Sequence, residues 1–480
     1  YYLARMDAGD NLRERTGFDG ILAGMAVGRI AELRGTSSTS TAYILRSLKH
    51  PGEVNILRHI YGDAFWLVAV VSSPGDRLDD FAEDLSRAGA GFQDSRAKAQ
   101  NLMDRDEDDQ ADPHGQHVQD VFSMADVFLP SRRGHEADDD VNRFVDGIFG
   151  KPFFTPSAAE EAMRLAYSAS LRSAAMGRQV GAVLVPTTGA TYVTGTNEVP
   201  KPGGGQYWIG DDPDHRDFQT GFDPNPSFTA TMLQELLERL KSNGWLNSEL
   251  SELSAIQLLQ KAKDMGEEGF SVLQDTRVNS LIEFTRCLHA EQAAIVNAAR
   301  QGVVTQDGLL LTTTFPCHEC AKFIVGSGIR RVIYIEPYPK SMVRHLYRDL
   351  IDTKPPLSAE EKFDLVSARE VGKVPFSAFV GFAPHRYDDI FRAGERRDGL
   401  NPALFDRTVA TPRGRGWNEA FVHEREVITT GAVSQLIGGV FGSTGSSAKS
   451  TAKDRQTARA GRRKPVDPPG STGSAAATRR

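Results

Sequence analysis

The sequence predicts an α/β protein: a three-layer α/β/α sandwich preceded by a smaller, partial α/β domain. Two observations carry this. Apolar runs of strand length recur at Phe65 to Val71, Val180 to Val185, Leu309 to Thr314 and Arg331 to Ile335, and helix-length amphipathic segments separate them; that alternation builds a sheet covered by helices. The chain also has room for two or three domains at 480 residues, and is 40% hydrophobic and 25% charged, a globular composition.

In chain order, residues 10–33 read as one amphipathic helix (Leu12, Ile21, Leu22, Met25, Ala26, Ile30, Leu33). Tyr43 to Leu45 reads as a short strand, Pro51 to Tyr61 as a helix, Phe65 to Val71 as a buried strand and 76–102 as helical. The acidic run Asp104 to Asp109 reads as a solvated loop before the apolar stretch Val118 to Leu129. A linker helix at 138–150 ends at the punctuation of Pro152 and Pro156. Ser157 to Met176 reads as a long helix, Arg178 to Val185 as a buried strand, and 191–197 as its hairpin partner. Beyond the later strands, Tyr347 to Leu350 and Ala359 to Leu365 read as helical and Phe376 to Phe382 as a strand. From Gly442 the chain turns to Gly, Ser, Ala and Thr, with nine Lys and Arg against two Asp. Such a tail cannot bury a core and is expected to be disordered.

The chemistry concentrates between Arg286 and Cys320. His289 and Glu291 stand before a strongly helix-forming stretch that stops at Gly302, and Cys317 and Cys320 stand after Pro316. One His and two Cys leave the fourth position of a tetrahedral zinc ion open, which marks a catalytic site. Zinc lowers the pKa of a coordinated water to roughly 7, and Glu291 is placed to shuttle that water's protons. Residues i and i+2 point about 200° apart on a helix, so His289 and Glu291 converge only if the metal lies beyond the helix's first turn. Helix starts also favour thiolate at Cys317 and Cys320. The competing reading of the two Cys is a structural or redox CxxC, which needs neither His289 nor Glu291. Cys287 reads as a small buried apolar residue, and His318 and Glu319 as solvent-facing.

All three Cys fall at 287, 317 and 320, so no disulfide framework exists and a reducing, cytoplasmic setting is expected. The longest apolar run, Ala64 to Val71, is too short to span a bilayer, and no signal peptide is expected before the body. Tyr1 is not Met, so the reading frame is expected to extend upstream.

Val180-Gly181-Ala182-Val183, Gly195-Thr196-Asn197, His289-Ala290-Glu291 and Pro316-Cys317-x-x-Cys320 with Gly326-Ser327-Gly328-Ile329 resemble the cytidine and deoxycytidylate deaminase superfamily. The combination H-x-E and P-C-x-x-C is the signature of zinc nucleobase deaminases. Asn197 to Lys201, Glu336 to Ser341 and Ala383 to Tyr387 extend the resemblance to two-domain bacterial anti-phage deoxycytidylate deaminases, which join a P-loop domain to a deaminase. The resemblance implies zinc held by His289, Cys317 and Cys320, with Glu291 catalytic. It implies substrate contacts at Asn197, for the sugar, and at Ala290 and Pro316, for the base. Arg178, Lys201 and Lys340 border the strand ends that would rim the pocket. Asn197 also reads as a turn-capping residue.

Ser47 to Val54, Leu57-Arg58 and Tyr61-Gly62 loosely resemble the later half of a nucleoside-monophosphate-kinase-type P-loop domain. The phosphate loop GxxxxGK[ST] is absent, so kinase activity has no support. Either that loop lies upstream of Tyr1 or the domain is a regulatory relic. Arg46, Lys49, Arg58 and Arg105 are available to a nucleotide phosphate or are ordinary surface cations. The expected organisation is 1–148 kinase-like, 152–400 zinc deaminase with an insertion at 201–285, 401–441 a C-terminal extension, and 442–480 the basic tail.

The insertion holds 14 Asp and Glu against 7 Lys and Arg, and a surface that neutralises phosphates should be basic. Stable nucleic-acid binding is therefore not expected. Its aromatics (Tyr207, Trp208, Phe218, Phe222) read as core residues or as a platform for a base. The leading function is hydrolytic deamination of a deoxycytidine nucleotide, dCMP or dCTP, which in the defence setting drains that nucleotide pool. The rivals are an RNA or single-stranded DNA deaminase and a non-catalytic zinc-stabilised nucleotide sensor. The family's habit of assembly implies a homo-oligomer, and the defence setting leaves room for a regulatory RNA or protein partner.

Overall fold

The computed structural model describes residues 1–35, 41–87, 92–107, 109, 112–131, 135–189, 192–264, 272–273, 276–338, 341–354, 372–413 and 419–442. The helices are α1 (Tyr2–Thr16), α2 (Ile21–Arg34), α3 (Pro51–Tyr61), α4 (Pro74–Arg87), α5 (Phe92–Glu107), α6 (Val118–Ser123), α7 (His135–Ile148), α8 (Ala158–Ser170), α9 (Asp217–Thr220), α10 (Pro224–Ser242), α11 (Ser248–Ser251), α12 (Ala255–Lys263), α13 (Ala290–Gln301), α14 (His318–Gly326), α15 (Val343–Leu346), α16 (Tyr387–Phe391) and α17 (Glu419–Gly442). The strands are β1 (Val68–Val71), β2 (Val127–Pro130), β3 (Gly181–Val185), β4 (Val193–Thr196), β5 (Leu309–Thr314), β6 (Arg331–Glu336), β7 (Ile351–Lys354), β8 (Val374–Ala378), β9 (Gly381–Phe382) and the small hairpin β10 (Arg397–Asp398) and β11 (Asn401–Pro402).

The main sheet has six strands in the order β4-β3-β5-β6-β8-β7. β3 runs antiparallel to both neighbours, while β5, β6, β8 and β7 are mutually parallel. Successive residues along a strand face opposite sides, and the two faces bury different partners. Val183, Val185, Leu309, Leu311, Ile333 and Ile335 pack on Ala162, Met163 and Ala166 of α8. Ala182, Leu184, Leu310, Val332 and Tyr334 pack on Ala290, Ala294 and Ala298 of α13 and on Ala321 and Ile324 of α14. This is the expected three-layer sandwich, with both ligand-bearing helices on one face.

The core crosses residue 150. Val54, Leu67, Ala69, Val121 and Phe128 belong to the same buried cluster as α8 and the main sheet. β1 and β2 pair in parallel, and β9, from the far side of the chain, adds antiparallel to β2. The single strand expected at Phe376 to Phe382 is thus two, one in each sheet. The crossing needs Gly381, whose φ is 133° and where a Cβ would sit 2.8 Å from the Glu160 side chain. Glu160 in turn accepts the Phe382 N–H at 3.0 Å.

Other expectations change for local reasons. The helix expected over 10–33 is α1 and α2, because Gly17 takes a left-handed C-cap (φ 60°) and ends the first. Tyr43 to Leu45 forms no strand: Leu45 packs beside Leu57 and Ile60, while Ile44 is 87% exposed. Residues 347–350 are a turn, which hands the chain to β7 through the Ile351 N–H bond to the Tyr347 carbonyl. The acidic run is largely the end of α5, where Asp106 pairs with Lys49 and Asp109 with Arg105. Ala359 to Leu365 and the basic tail from 443 lie outside the described residues. Among the described residues, no helix is long and apolar enough to cross a membrane.

Candidate metal centre

Both ligand pairs stand where a helix begins. His289 is the N-cap of α13, with extended backbone (φ −71°, ψ 158°), and its N–H donates to Gln292 Oε1 at 3.1 Å. Cys317 is the N-cap of α14, and its Sγ accepts the Cys320 N–H at 3.4 Å. His289 precedes the helix and Glu291 lies in its first turn, which meets the condition for the two to converge on an ion beyond the helix start. Gly195 lets α13 lie flat on β4, since a Cβ there would sit 2.2 Å from the Ala290 carbonyl oxygen.

His289 Nδ1 is 3.1 Å from Cys317 Sγ and 3.4 Å from Cys320 Sγ. One donor atom from each residue falls within 4.8 Å of the others, and among the described residues only this trio does so. A tetrahedral zinc with bonds of about 2.1 Å to nitrogen and 2.3 Å to sulfur holds such atoms roughly 3.6 Å apart. The trio is therefore already spaced for one shared ion, and its two sulfurs and one imidazole are a zinc donor set with one position left for a non-protein ligand. Glu291, 4% exposed, sits beside it with Oε2 at 3.3 Å from Cys320 Sγ.

The electrostatics follow from burial around four groups that compete for protons. The thiol hydrogen bond from Cys320, with help from His289, outweighs burial and pushes Cys317 down to about 4. Burial, that same bond and the Glu291 and Cys317 charges push Cys320 well up. Burial followed by the Cys317 charge pushes Glu291 up to about 7. Burial disfavours charge on His289, but its bond to Cys317 and the thiolate beside it raise its pKa overall. A cation among these atoms would stabilise both thiolates at once.

The other sequence-predicted residues divide by place. Ala290 and Pro316 are buried at the two helix starts, and Ser341 Oγ donates to the Pro316 carbonyl at 2.8 Å. Asn197 Oδ1 accepts the Val180 N–H at 2.7 Å and its Nδ2 donates to the Arg178 carbonyl at 2.7 Å. The amide thus shapes its own loop, with a second N–H and a second lone pair left over. Arg178 is half-exposed and pairs with Glu336 at 3.1 Å. Lys201 is turned to Asp211 on the insertion. Lys340 lies outside the described residues. Of the four cations considered for a nucleotide phosphate, Lys49, Arg58 and Arg105 are in ion pairs with Asp106, Asp126 and Asp10, and Arg46 is exposed.

His318 does not face solvent as expected. Its side chain is 15% exposed, and Nε2 lies 3.8 Å from Glu283 Oε1 of the insertion. Glu319 is more open and pairs with Lys322. Cys287 is no ligand: it is half-buried and its thiol points to Asp217 Oδ2 at 3.8 Å. Burial first, then the Asp217 charge, push that thiol up to about 12.

Sequence reasoning missed three groups. Glu198, 1% exposed, accepts the Ala174 N–H at 2.9 Å and pairs its backbone with Leu288. Arg172 stacks on Trp208 at 3.7 Å and donates to the Tyr207 carbonyl at 3.0 Å, which pins the glycine-rich start of the insertion. Tyr338 is half-buried, and burial first, then the Cys317 charge, push its pKa up against the pull of Arg178. The adjacent aromatics at 207 and 208 were the only sequence signal for the second group.

Residues 156–336 match the family model for the cytidine and deoxycytidylate deaminase zinc-binding region. The chain is similar to the deoxycytidylate deaminase of Enterobacteria phage T2, 43% identical over 54 residues that make up 11% of this chain and 29% of that protein. It is also similar to a probable deoxycytidylate deaminase of Drosophila melanogaster, 39% identical over 75 residues, 16% of this chain and 32% of the relative. The matches thus span less than a third of each relative's length. Among solved structures, the apo dCMP deaminase of cyanophage S-TIM5 superposes with a TM-score of 0.22 at 16% identity, over 46% of this chain and 96% of that one.

Proposed function

We propose that this chain, whose residues 156–336 are a cytidine and deoxycytidylate deaminase zinc-binding region, hydrolyses the exocyclic amine of a deoxycytidine nucleotide, dCMP or dCTP, to the deoxyuridine nucleotide and ammonia. The observation that carries the reading is a buried carboxylate, Glu291, set beside a His-Cys-Cys donor trio. His289, Cys317 and Cys320 would hold a zinc ion, which when bound would supply an activated water at neutral pH.

Glu291 does the proton work. It takes a proton as water attacks C4 and delivers it to N3. It then carries the second proton to the departing amine as the C4–N bond breaks, so that water and the amino-pyrimidine become the keto-pyrimidine and ammonia. Burial disfavours the charged form of Glu291, which brings its carboxyl closer to neutral pH for transfer in both directions. Ala290 and Pro316 frame the base from the two helix starts, and the left-over N–H and lone pair of Asn197 take the sugar. Arg178 and Lys201 meet the phosphate by leaving Glu336 and Asp211.

The same proposal includes a homo-oligomer, a kinase-like origin for residues 1–148 and a role in draining the deoxycytidine nucleotide pool during phage infection. The net acidic insertion supports a free nucleotide over a polynucleotide as substrate. The test is metal analysis of the purified protein combined with chromatography of dCMP, dCTP, CMP and deoxycytidine after incubation. Deoxyuridine nucleotide appearing with zinc bound is the expected result. Zinc-loaded protein that leaves all four unchanged would overturn the proposal.

A further inference from the structure

The insertion returns to the metal centre along a path that is clamped almost residue by residue. Asn225, in the first turn of α10, donates from Nδ2 to the Leu281 carbonyl at 2.7 Å and accepts the Phe284 N–H at 3.3 Å. One turn on, Phe228 packs its ring 5.6 Å from that of Phe284. Arg286 donates to the His215 carbonyl at 2.9 Å and lies 3.5 Å from Asp217 Oδ1, while Asp217 Oδ2 takes the Cys287 thiol. Leu288 exchanges both backbone bonds with Glu198, at 3.1 and 3.2 Å. The next residue is His289. The same return also reaches the opposite ligand helix, where Glu283 faces His318 between the two zinc cysteines.

We infer that the insertion braces the metal centre, with Asp217 and Asn225 as positioning residues that fix how the chain enters His289 and hence the aim of its Nδ1 and of Glu291. Asp217 is 6% exposed, and a buried carboxylate is costly unless its partner repays the desolvation. Its contacts here are the two residues just before Leu288: the Cys287 thiol at Oδ2 and the Arg286 charge beside Oδ1, an oxygen that makes no hydrogen bond of its own. Groups that orient metal ligands typically change metal affinity or activity by roughly 10–100-fold when removed. The inference deepens the proposed function and rests on its zinc reading.

The test compares Asp217→Ala and Asn225→Ala in the full chain with Leu258→Ala, a buried position on α12 that makes none of the hydrogen bonds described above. Zinc affinity is measured by chelator competition, and ligand geometry by the visible spectrum of cobalt-substituted protein. Asp217→Ala and Asn225→Ala are expected to bind zinc about 10–100-fold more weakly, with altered cobalt bands. Leu258→Ala is expected to lower the unfolding temperature and leave both readouts at the wild-type value. Unchanged zinc affinity and cobalt bands in the two brace variants would overturn the inference; if Asp217→Ala does not fold, Asn225→Ala decides. Neither readout uses substrate. Protein that binds zinc but deaminates nothing would sink the proposed function and leave the brace standing, whereas protein that binds no zinc would sink both.

Discussion

The Arg13 network and the His289 trio are both buried and both charged, but they are built in opposite ways. Arg13 is fully buried on α1, and its guanidinium meets Asp10 at 2.8 Å, Glu53 at 3.3 Å and the His114 carbonyl at 2.7 Å. Asp10 also takes Arg105 and Gln116, and Glu53 takes the Lys49 N–H. There, each donor faces an acceptor. In the trio, three metal-ligating atoms converge within 4.8 Å and share only protons among themselves. Burial and charge therefore do not distinguish a site from a structural tie. Convergent ligand atoms do, and a cation can take the place of the shared protons.

The comparison breaks most sharply on Glu291. Glu291→Gln should lower turnover by about 10²–10⁴-fold, the usual worth of a positioned acid–base group, while zinc content stays at the wild-type level. Activity and metal analysis of the same sample check this, and near-wild-type turnover would remove Glu291 from the chemistry. The saturated network should respond the other way. Arg13→Leu strands Asp10 and Glu53 without their partner and should cost about 3–5 kcal/mol in denaturant unfolding, with turnover per folded molecule unchanged.

A smaller effect is expected at Gly195→Ala, because the new Cβ must displace α13. Overpacking of this kind costs about 1–3 kcal/mol, and here it should also weaken zinc binding, which calorimetric titration would show. An effect of similar size, confined to neutral pH, concerns Asp126, which joins Arg58 to His385 and Arg386 across the small sheet. Burial pushes its pKa up, but the bonds from His385 and the Leu67 N–H and the two Arg charges outweigh that and hold it below 3.8. A depressed carboxylate stabilises the fold above its unfolded value and loses that contribution as the pH falls through the folded one. Asp126→Asn should therefore lower stability by about 1.5–3 kcal/mol at neutral pH, and the gap to the parent should close in acid below 3.8. A pH series of thermal unfolding would detect a gap that persists.

The site was legible because its residues lie within one short stretch and each sits at a helix start that Ala-rich composition and Pro316 announce. The two faces of the main sheet were legible for a similar reason, since the apolar runs of β3, β5 and β6 need no distant partner to be recognised. What stayed hidden depends on contacts far apart in the chain. Gly17 lies inside the apolar pattern read as one helix over 10–33, which continues on both sides of it. Nothing near Phe382 announces that it pairs with Val127 and leaves the main sheet. His318 seemed solvent-facing because CxxC spacing says nothing of Glu283, and the link from Asp217 to Cys287 spans 70 residues with no periodicity to reveal it.

The most direct test of the metal reading is zinc content measured by mass spectrometry on native protein beside Cys317→Ala and His289→Ala, purified without added metal. Stoichiometric zinc in the parent and its loss from both variants is the predicted result. Zinc retained in both variants, or absent from a folded parent, would contradict it.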